Sequence, residues 1–487
     1  FGPSGWLVDQ LPSGRKGDPR EALKKIASHA KFPLLSANTY YSSTIKSATG
    51  GSVAIQSDYC KPLTSNSVLD WSGAKRPEFL KPYLIKNVAG IRVGIIGLDH
   101  PETAAVTTRA NVEDLCFRDP VEEFFAIKKE LKSQVDVTLV VMHLGDSQNE
   151  LKMSEFLTQI LAQDANAVDA VIGGHTHYVN DVRVAGVPAI QSGANGEKFG
   201  RIDLTYHAGR GEVDRTKTQV YAGKFIFDQE CDRGTEAMCT TSGTMSGTTV
   251  SYNSIPVRKS AVAQTLISRA RSDVSSLAGQ VLGTLDAPLT RNRIEENSLG
   301  NAVTDATRET YGVDVSILNS GGVRADLPQG SLTYETFYSV LPFNNRAVRM
   351  KPMAVSTLVK LFQKSIASCG SYGALNQSGL KVTFERDCTR DVQKTGSDAA
   401  ARLTRLELLN GEVLFDRART DLNQSRTVSV VTVDFLAAGG SEYPEFKEAQ
   451  IDSDLGILRE ALAEHFRRKT WTPSSTLDGR FQNTAAR

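Results

Sequence analysis

Two histidines separated by one residue, His175 and His177, follow a pair of glycines at the end of an apolar run, Val171-Ile172-Gly173-Gly174. Imidazoles emerging from a strand end can converge on a metal ion. Glycines before them let the backbone turn sharply and approach a ligand closely. An isolated His-x-His on a loop is ordinarily without function, so the pattern needs company. It has some upstream, where the β-branched run Val135-Asp136-Val137-Thr138-Leu139-Val140-Val141-Met142 ends in His143-Leu144-Gly145-Asp146. Two such strands with a helical segment between them fit adjacent strands of one sheet, with their carboxyl ends facing one crevice. Three histidines make half of a hydrolytic two-metal site. The other half needs carboxylates to bridge and neutralise the ions.

The order strand-His-Leu-Gly, then strand-Gly-Gly-His-Thr-His, resembles the last two metal motifs of the calcineurin-like metallophosphoesterases. More narrowly, it resembles the 5′-nucleotidase family, which includes UDP-sugar hydrolases and ecto-5′-nucleotidase. The resemblance implies two divalent metal ions (Zn, Mn, Mg or Ca). It implies that His143 and His175 ligate one ion and His177 the other, at a place where bacterial relatives can carry Gln. It also implies that Phe1-Gly2-Pro3 follows directly on the family's third metal motif. The bridging carboxylate and the transition-state-stabilising His would then precede Phe1, which leaves the catalytic residues unassigned. Neither His29, in a predicted helix, nor His100, after Gly97-Leu98-Asp99, is expected to replace them.

The elements that must position these histidines can be read in chain order. A polar insertion over residues 12–18 precedes a predicted helix at 19–30 and a strand at 32–38. Residues 86–98 alternate and then run apolar, which predicts a hairpin feeding a buried strand. A helix is predicted at 120–131, with Pro120 at its start, acids early and lysines late. A second helix is expected over 150–163, and further strands over 187–193 and 200–204. These elements describe a layered α/β domain ending near residue 225, and the resemblance implies a layered β-sandwich metallophosphoesterase domain, N-terminally incomplete, over residues 1–256. A linker helix is expected within 257–279, and an α+β substrate-binding domain over 280–487.

The second domain's motifs are distributed. They are Asn297-Ser298-Leu299-Gly300-Asn301 before a helix, Asn319-Ser320-Gly321-Gly322-Val323-Arg324 after a strand, Leu341-Pro342-Phe343-Asn344, and Asp434-Phe435-Leu436-Ala437-Ala438-Gly439-Gly440. In this order they resemble the carboxy-terminal domain of the 5′-nucleotidase family, so the likeness extends over essentially the whole chain. A nucleotide offers an apolar π-face and phosphate charge, which aromatic rings and arginines suit. By resemblance, Phe343 and Phe435 sandwich the base. Arg324, Asn319 and an arginine before the Leu-Gly-Asn hold the polar end. Arg293, followed by Glu296, fits that setting better than Arg291. The family's Gly-Gly-Asp-Gly-Tyr reads here Gly439-Gly440-Ser441-Glu442-Tyr443. Ser441 therefore contributes a hydroxyl where a carboxylate is usual, which puts nucleoside specificity in question.

Composition narrows the function classes. The 487 residues are 40% hydrophobic and 23% charged with a net charge of +1, giving no reason to expect a nucleic-acid or anionic-membrane partner. No apolar run has the length of a membrane span. The six cysteines suggest an oxidising compartment, periplasmic or extracellular. Cys231 with Cys239 and Cys369 with Cys388 have spacings that suit disulfides, while Cys60 and Cys116 are a third pair or free thiols. The expected function is metal-dependent hydrolysis of nucleotide phosphoesters, of 5′-nucleotidase, UDP-sugar hydrolase or cyclic phosphodiesterase type. The alternatives are a non-catalytic nucleotide-binding protein and a hydrolase of a non-nucleotide ester.

Overall fold

The computed structural model describes residues 20–64, 67–107, 111–146, 152–225, 251–252, 255–256, 260–367, 373–388, 401–468, 471 and 473–485. Phe1-Gly2-Pro3, the insertion at 12–18, and Cys231, Cys239 and Cys369 lie outside the described residues. The chain divides into two compact units. One is Lys16–Ala104 with Val112–Ala270, and the other Ala105–Asn111 with Arg271–Arg487.

The first unit is built on a six-stranded mixed sheet. Its strands are β1 (Tyr83–Val88), β2 (Ile91–Leu98), β3 (Val137–Met142), β4 (Ala170–Ile172), β5 (Val179–Val184) and β6 (Val187–Ser192). They lie in the order β5-β6-β4-β3-β2-β1. Strands β2, β3, β4 and β6 are mutually parallel, and hairpin partners β1 and β5 close the edges antiparallel. Parallel strands are covered on both faces and so read as unbroken apolar runs. Helices α1 (Pro120–Leu131) and α2 (Met153–Gln163) supply cover, burying Phe124, Ile127, Phe156 and Ile160 against Ile96, Val140 and Val171. Each such side chain stabilises the unit by about 1.5–3 kcal/mol. Helix α1 starts where the sequence predicts it. The Asp119 carboxylate accepts from the Val121 and Glu122 N–H groups, Pro120 occupies the first turn, and Lys128 and Lys129 lie in the last.

A smaller cluster gathers Tyr40 and Ile45 around a disulfide between Cys60 and Cys116, so these two are a bonded pair rather than free thiols. Cys388 is disulfide-bonded as well.

Helix α3 (Ala261–Ala278) spans the boundary at Ala270 and buries none of its residues. The second unit has a five-stranded sheet. Its strands are β7 (Val315–Asn319), β8 (Arg346–Met350), β9 (Leu375–Ser378), β10 (Val430–Val433) and β11 (Ile451–Ile457), in the order β9-β7-β10-β8-β11. Strands β7 and β10 are parallel, and the other pairs antiparallel. Helix α4 (Ser298–Tyr311) is capped by Asn297, whose side chain accepts from the Gly300 N–H at 2.7 Å, and it ends on Gly312 at φ +58°. The chain then passes through α5 (Tyr334–Val340), α6 (Val355–Ala367) and, after β11, α7 (Leu458–Arg468), all packed into one core with the sheet. No described helix is long and apolar enough to cross a membrane.

Candidate active site

In the first unit the register of β2, β3 and β4 decides the geometry. Met142 pairs with Leu98, and Val141 with Ile172. Three parallel strands therefore end level, and the residues after them project from one edge. His143 follows β3, His175 and His177 follow β4, and His100 follows β2. His143 Nε2 and His175 Nδ1 are 3.1 Å apart. The buried His100 ring lies 4.6 Å, centre to centre, from that of His175. His100 Nδ1 accepts the Glu102 N–H at 3.1 Å. The sequence reading set His100 aside, although its position after a Gly-Leu strand end was visible; the register shows it packed on His175.

The backbone is held under strain here. His175 has φ +79° and His177 φ +65°, in the left-handed region that disfavours side chains. Such conformations persist where surrounding structure fixes them and cluster at functional sites. The surroundings are tight. A Cβ on Gly145 would stand 2.2 Å from Gln191 Oε1 and 2.6 Å from the Gly174 carbonyl. The buried Gln191 amide donates to Thr176 Oγ1 at 2.8 Å and to the Tyr178 carbonyl at 2.7 Å, bracketing the two histidines' loop.

His143 keeps an accessible edge. Lost hydration, and then the adjacent His175, nevertheless lower its pKa below the ordinary imidazole value. The neutral ring is the form that ligates a metal. Two imidazole nitrogens on one tetrahedral zinc stand roughly 3.3 Å apart for ~2.05 Å bonds, so the His143–His175 pair fits two positions of an ion. Among the described residues, no group of three or more His, Cys, Asp or Glu is placed to hold a metal. The described donors thus fit part of a metal site. The nearby carboxylate of Asp99 is engaged by the hydroxyls of Ser36 at 2.5 Å and Thr39 at 2.7 Å.

In the second unit the parallel pair β7 and β10 ends on one side of the sheet, and β8 begins there. This brings Asn319 (ending β7), Arg324 (after β7), Phe343 (before β8), and Phe435 and Ser441 (after β10) to one edge. A cavity there is bounded in part by Asn319, Gly322, Phe343, Asn345 and Val433. Phe343 is 48% exposed, and the Arg324 guanidinium lies 5.9 Å from its ring centre. Phe435 is half-buried, and Gly440 packs on its ring, where a Cβ would come within 2.5 Å. Ser441 Oγ accepts from Asn319 Nδ2 at 3.4 Å. Ser441 and Glu442 both take positive φ, +50° and +59°.

Burial, and then the charges of Arg293 and Arg291, push the Arg324 pKa down, so the three guanidinium groups share one neighbourhood. Arg291 is neutralised by Asp326, at 2.8 Å. Among the described residues, Arg293 and Arg324 have no carboxylate partner. An arginine beside the accessible Phe343 ring, with a second arginine's charge close by, suits an anion attached to a planar apolar group.

Fold and sites define a class of α/β protein with two units. One bears histidines at the carboxyl ends of parallel strands, the other an arginine–aromatic edge. Residues 278–448 match the family model 5′-nucleotidase, C-terminal domain. The chain is 23% identical over 470 residues to the trifunctional nucleotide phosphoesterase protein YfkN of Bacillus subtilis, covering 93% of this chain but only 28% of that protein. It is 24% identical over 463 residues to the 5′-nucleotidase of Vibrio cholerae, covering 88% and 70%. Its fold is shared with the crystal structure of a 5′-nucleotidase precursor from Thermus thermophilus, at a TM-score of 0.67 and 22% identity over 95% of this chain and 80% of that one. Residues 278–448 thus carry the likeness to the carboxy-terminal domain of the 5′-nucleotidases, and the fold as a whole is one that a 5′-nucleotidase precursor shares.

Proposed function

We propose that the protein is a metal-dependent hydrolase releasing phosphate from nucleotides. The observation that carries this reading is Arg324, without a carboxylate partner among the described residues, 5.9 Å from the ring centre of Phe343 and near enough to Arg293 to feel its charge. The family match and the relatives' names support it. Arg293 and Arg324 bind the substrate's anionic end, with Asn319 and Ser441 on its polar groups, and Phe343 and Phe435 hold the base. His143 and His175 hold one divalent ion and His177 a second. When bound, such ions supply a water-derived nucleophile and charge stabilisation at phosphorus. The metallophosphoesterase domain occupies residues 1–256 and the substrate domain 280–487, joined by the helix between them. The Cys60–Cys116 disulfide and the bonded Cys388 support a compartment outside the reducing cytosol, periplasmic or extracellular.

Hydrolysis of AMP to adenosine and phosphate, of UDP-glucose to UMP and glucose 1-phosphate, and of 2′,3′-cyclic AMP to an adenosine monophosphate, followed in parallel by chromatography on protein supplied with divalent metal, tests the reading. Turnover of at least one is expected, and turnover of none sinks it. Arg324→Ala and Arg293→Ala are each expected to lower kcat/KM about 10- to 100-fold, the usual worth of a charge-assisted hydrogen bond. Arg291→Ala, already paired with Asp326, is expected to cost less. A second reading, hydrolysis of a non-nucleotide ester, draws on Ser441. A hydroxyl already engaged by Asn319 offers a sugar diol less than a free carboxylate does.

A further inference from the structure

Phe343 sits on a short connection between α5 and β8, half in solvent, and something must hold its ring in place. The restraint comes from one residue of a distant helix. Arg459, the second residue of α7, is 5% exposed. Its Nη1 donates to the Leu341 carbonyl at 2.9 Å and the Phe343 carbonyl at 3.2 Å, and its Nη2 to Asn344 Oδ1 at 3.0 Å. Its Nε donates to Glu460 at 3.0 Å and to the Tyr334 hydroxyl at 3.4 Å. The guanidinium plane lies over the Tyr338 ring at 4.2 Å from its centre. One rigid fork thus fixes the carbonyls before and at Phe343 and the side chain after it. The fork is itself oriented by two residues of α5 and by its own neighbour. Arg459 also helps bound the cavity beside Phe343.

We infer that Arg459 is a positioning residue for Phe343, setting the preference for ligands that carry an aromatic base over the same phosphate esters without one. The inference rests on the reading of Phe343 as a base-stacking residue. Nothing links Arg459 to the anion, since its donors are spent on the 341–344 backbone, Asn344, Tyr334 and Glu460. A lysine there keeps the charge but cannot span three acceptors in a plane.

The test is equilibrium binding of AMP and of ribose 5-phosphate by calorimetry in EDTA, so that turnover plays no part. The proteins are wild type, Phe343→Ala, Arg459→Met, Arg459→Lys and the Phe343→Ala/Arg459→Met double variant. Base stacking on an aromatic is worth enough that Phe343→Ala should remove about tenfold of the preference for AMP. Arg459→Met should remove a similar share, Arg459→Lys part of it, and the double variant no more than Phe343→Ala alone. Ribose 5-phosphate affinity should stay within about twofold throughout. Equal weakening of both ligands by Arg459→Met would mean that the residue only holds the fold, and the inference falls. An unchanged preference in the Arg459 variants overturns it too. Should Arg459→Met fail to fold, Arg459→Lys carries the same comparison. If Phe343→Ala leaves the preference intact, the stacking reading fails and takes the inference with it; if only the Arg459 variants do, Phe343 keeps its role and Arg459 loses its own.

Discussion

Residue chemistry at both sites is bought with backbone strain, and that strain is measurable. Glu442 takes φ +59° at the position where the family motif has its last glycine. The left-handed region costs a side chain about 1–2 kcal/mol, while glycine's extra freedom in the unfolded chain returns roughly half of that. Glu442→Gly is therefore expected to stabilise the protein by about 0.5–1 kcal/mol, read as a higher urea midpoint. A lower midpoint would show that Glu442 makes a contact worth more than its strain. Asp136 gives a second residue-scale prediction. Its carboxylate accepts from the Arg92 guanidinium (Nη2 at 2.6 Å, Nε at 3.1 Å) and from the Arg92 N–H at 2.8 Å. These bonds, the side-chain ones foremost, push its pKa down to about 2. An unfolded Asp titrates near ~3.9. The folded value lies below the unfolded one, so the stabilisation is present above pH ~4 and is lost as pH falls through about 2. The gap in denaturation midpoint between wild type and Asp136→Asn should be open at pH 6 and shut near pH 2. A gap that persists at pH 2 refutes the assignment to this carboxylate.

Elements place the chemistry through their ends. Helix α1 packs Phe124 and Ile127 against the sheet that carries the histidines, and its start depends on Asp119. Asp119→Ala removes the acceptor for two N–H groups and is expected to cost about 1 kcal/mol in chemical denaturation, within a range of ~0.5–2. No measurable loss would mean that water replaces the cap. Most elements were legible in the sequence. The pattern Asp-Pro, early acids and late lysines marks α1 at Pro120–Leu131, and the β-branched runs mark β3 and β10, because capping and hydrophobic period are local properties. Boundaries moved where neighbours overrule local pattern. The run starting at Val428 splits, with Thr427–Val428 pairing to Met353–Ala354 and only Val430–Val433 joining the main sheet. The strand before the two histidines is just Ala170–Ile172, since Gly173 already turns against the Leu144 carbonyl.

At the scale of the whole molecule, each unit has its own core and its own chemistry, so loss of metal and loss of nucleotide affinity should separate. Removing metal with EDTA is expected to abolish phosphate release while leaving AMP affinity within about threefold, by calorimetry, because the arginines and aromatic rings belong to the second unit. A collapse of AMP affinity on chelation would place the binding energy on the metals instead. The Cys60–Cys116 bond closes a loop with a sequence separation of 56. Replacing both cysteines by serine should cost about 2–4 kcal/mol in the unit that contains them, seen in its thermal transition. The sequence by itself determined the elements, the His-bearing strand ends and the arginine and aromatic candidates, because periodicity, glycine punctuation and motif order are written along the chain. It left open which of Arg291 and Arg293 is taken up by an ion pair, and it gave no reason to place His100 beside His175 or Arg459 beneath Phe343. Those were decided by tertiary structure. Ion pairing with Asp326, the level register of three parallel strands and a helix folded back on a loop some 115 residues earlier in the chain are all relations between distant segments.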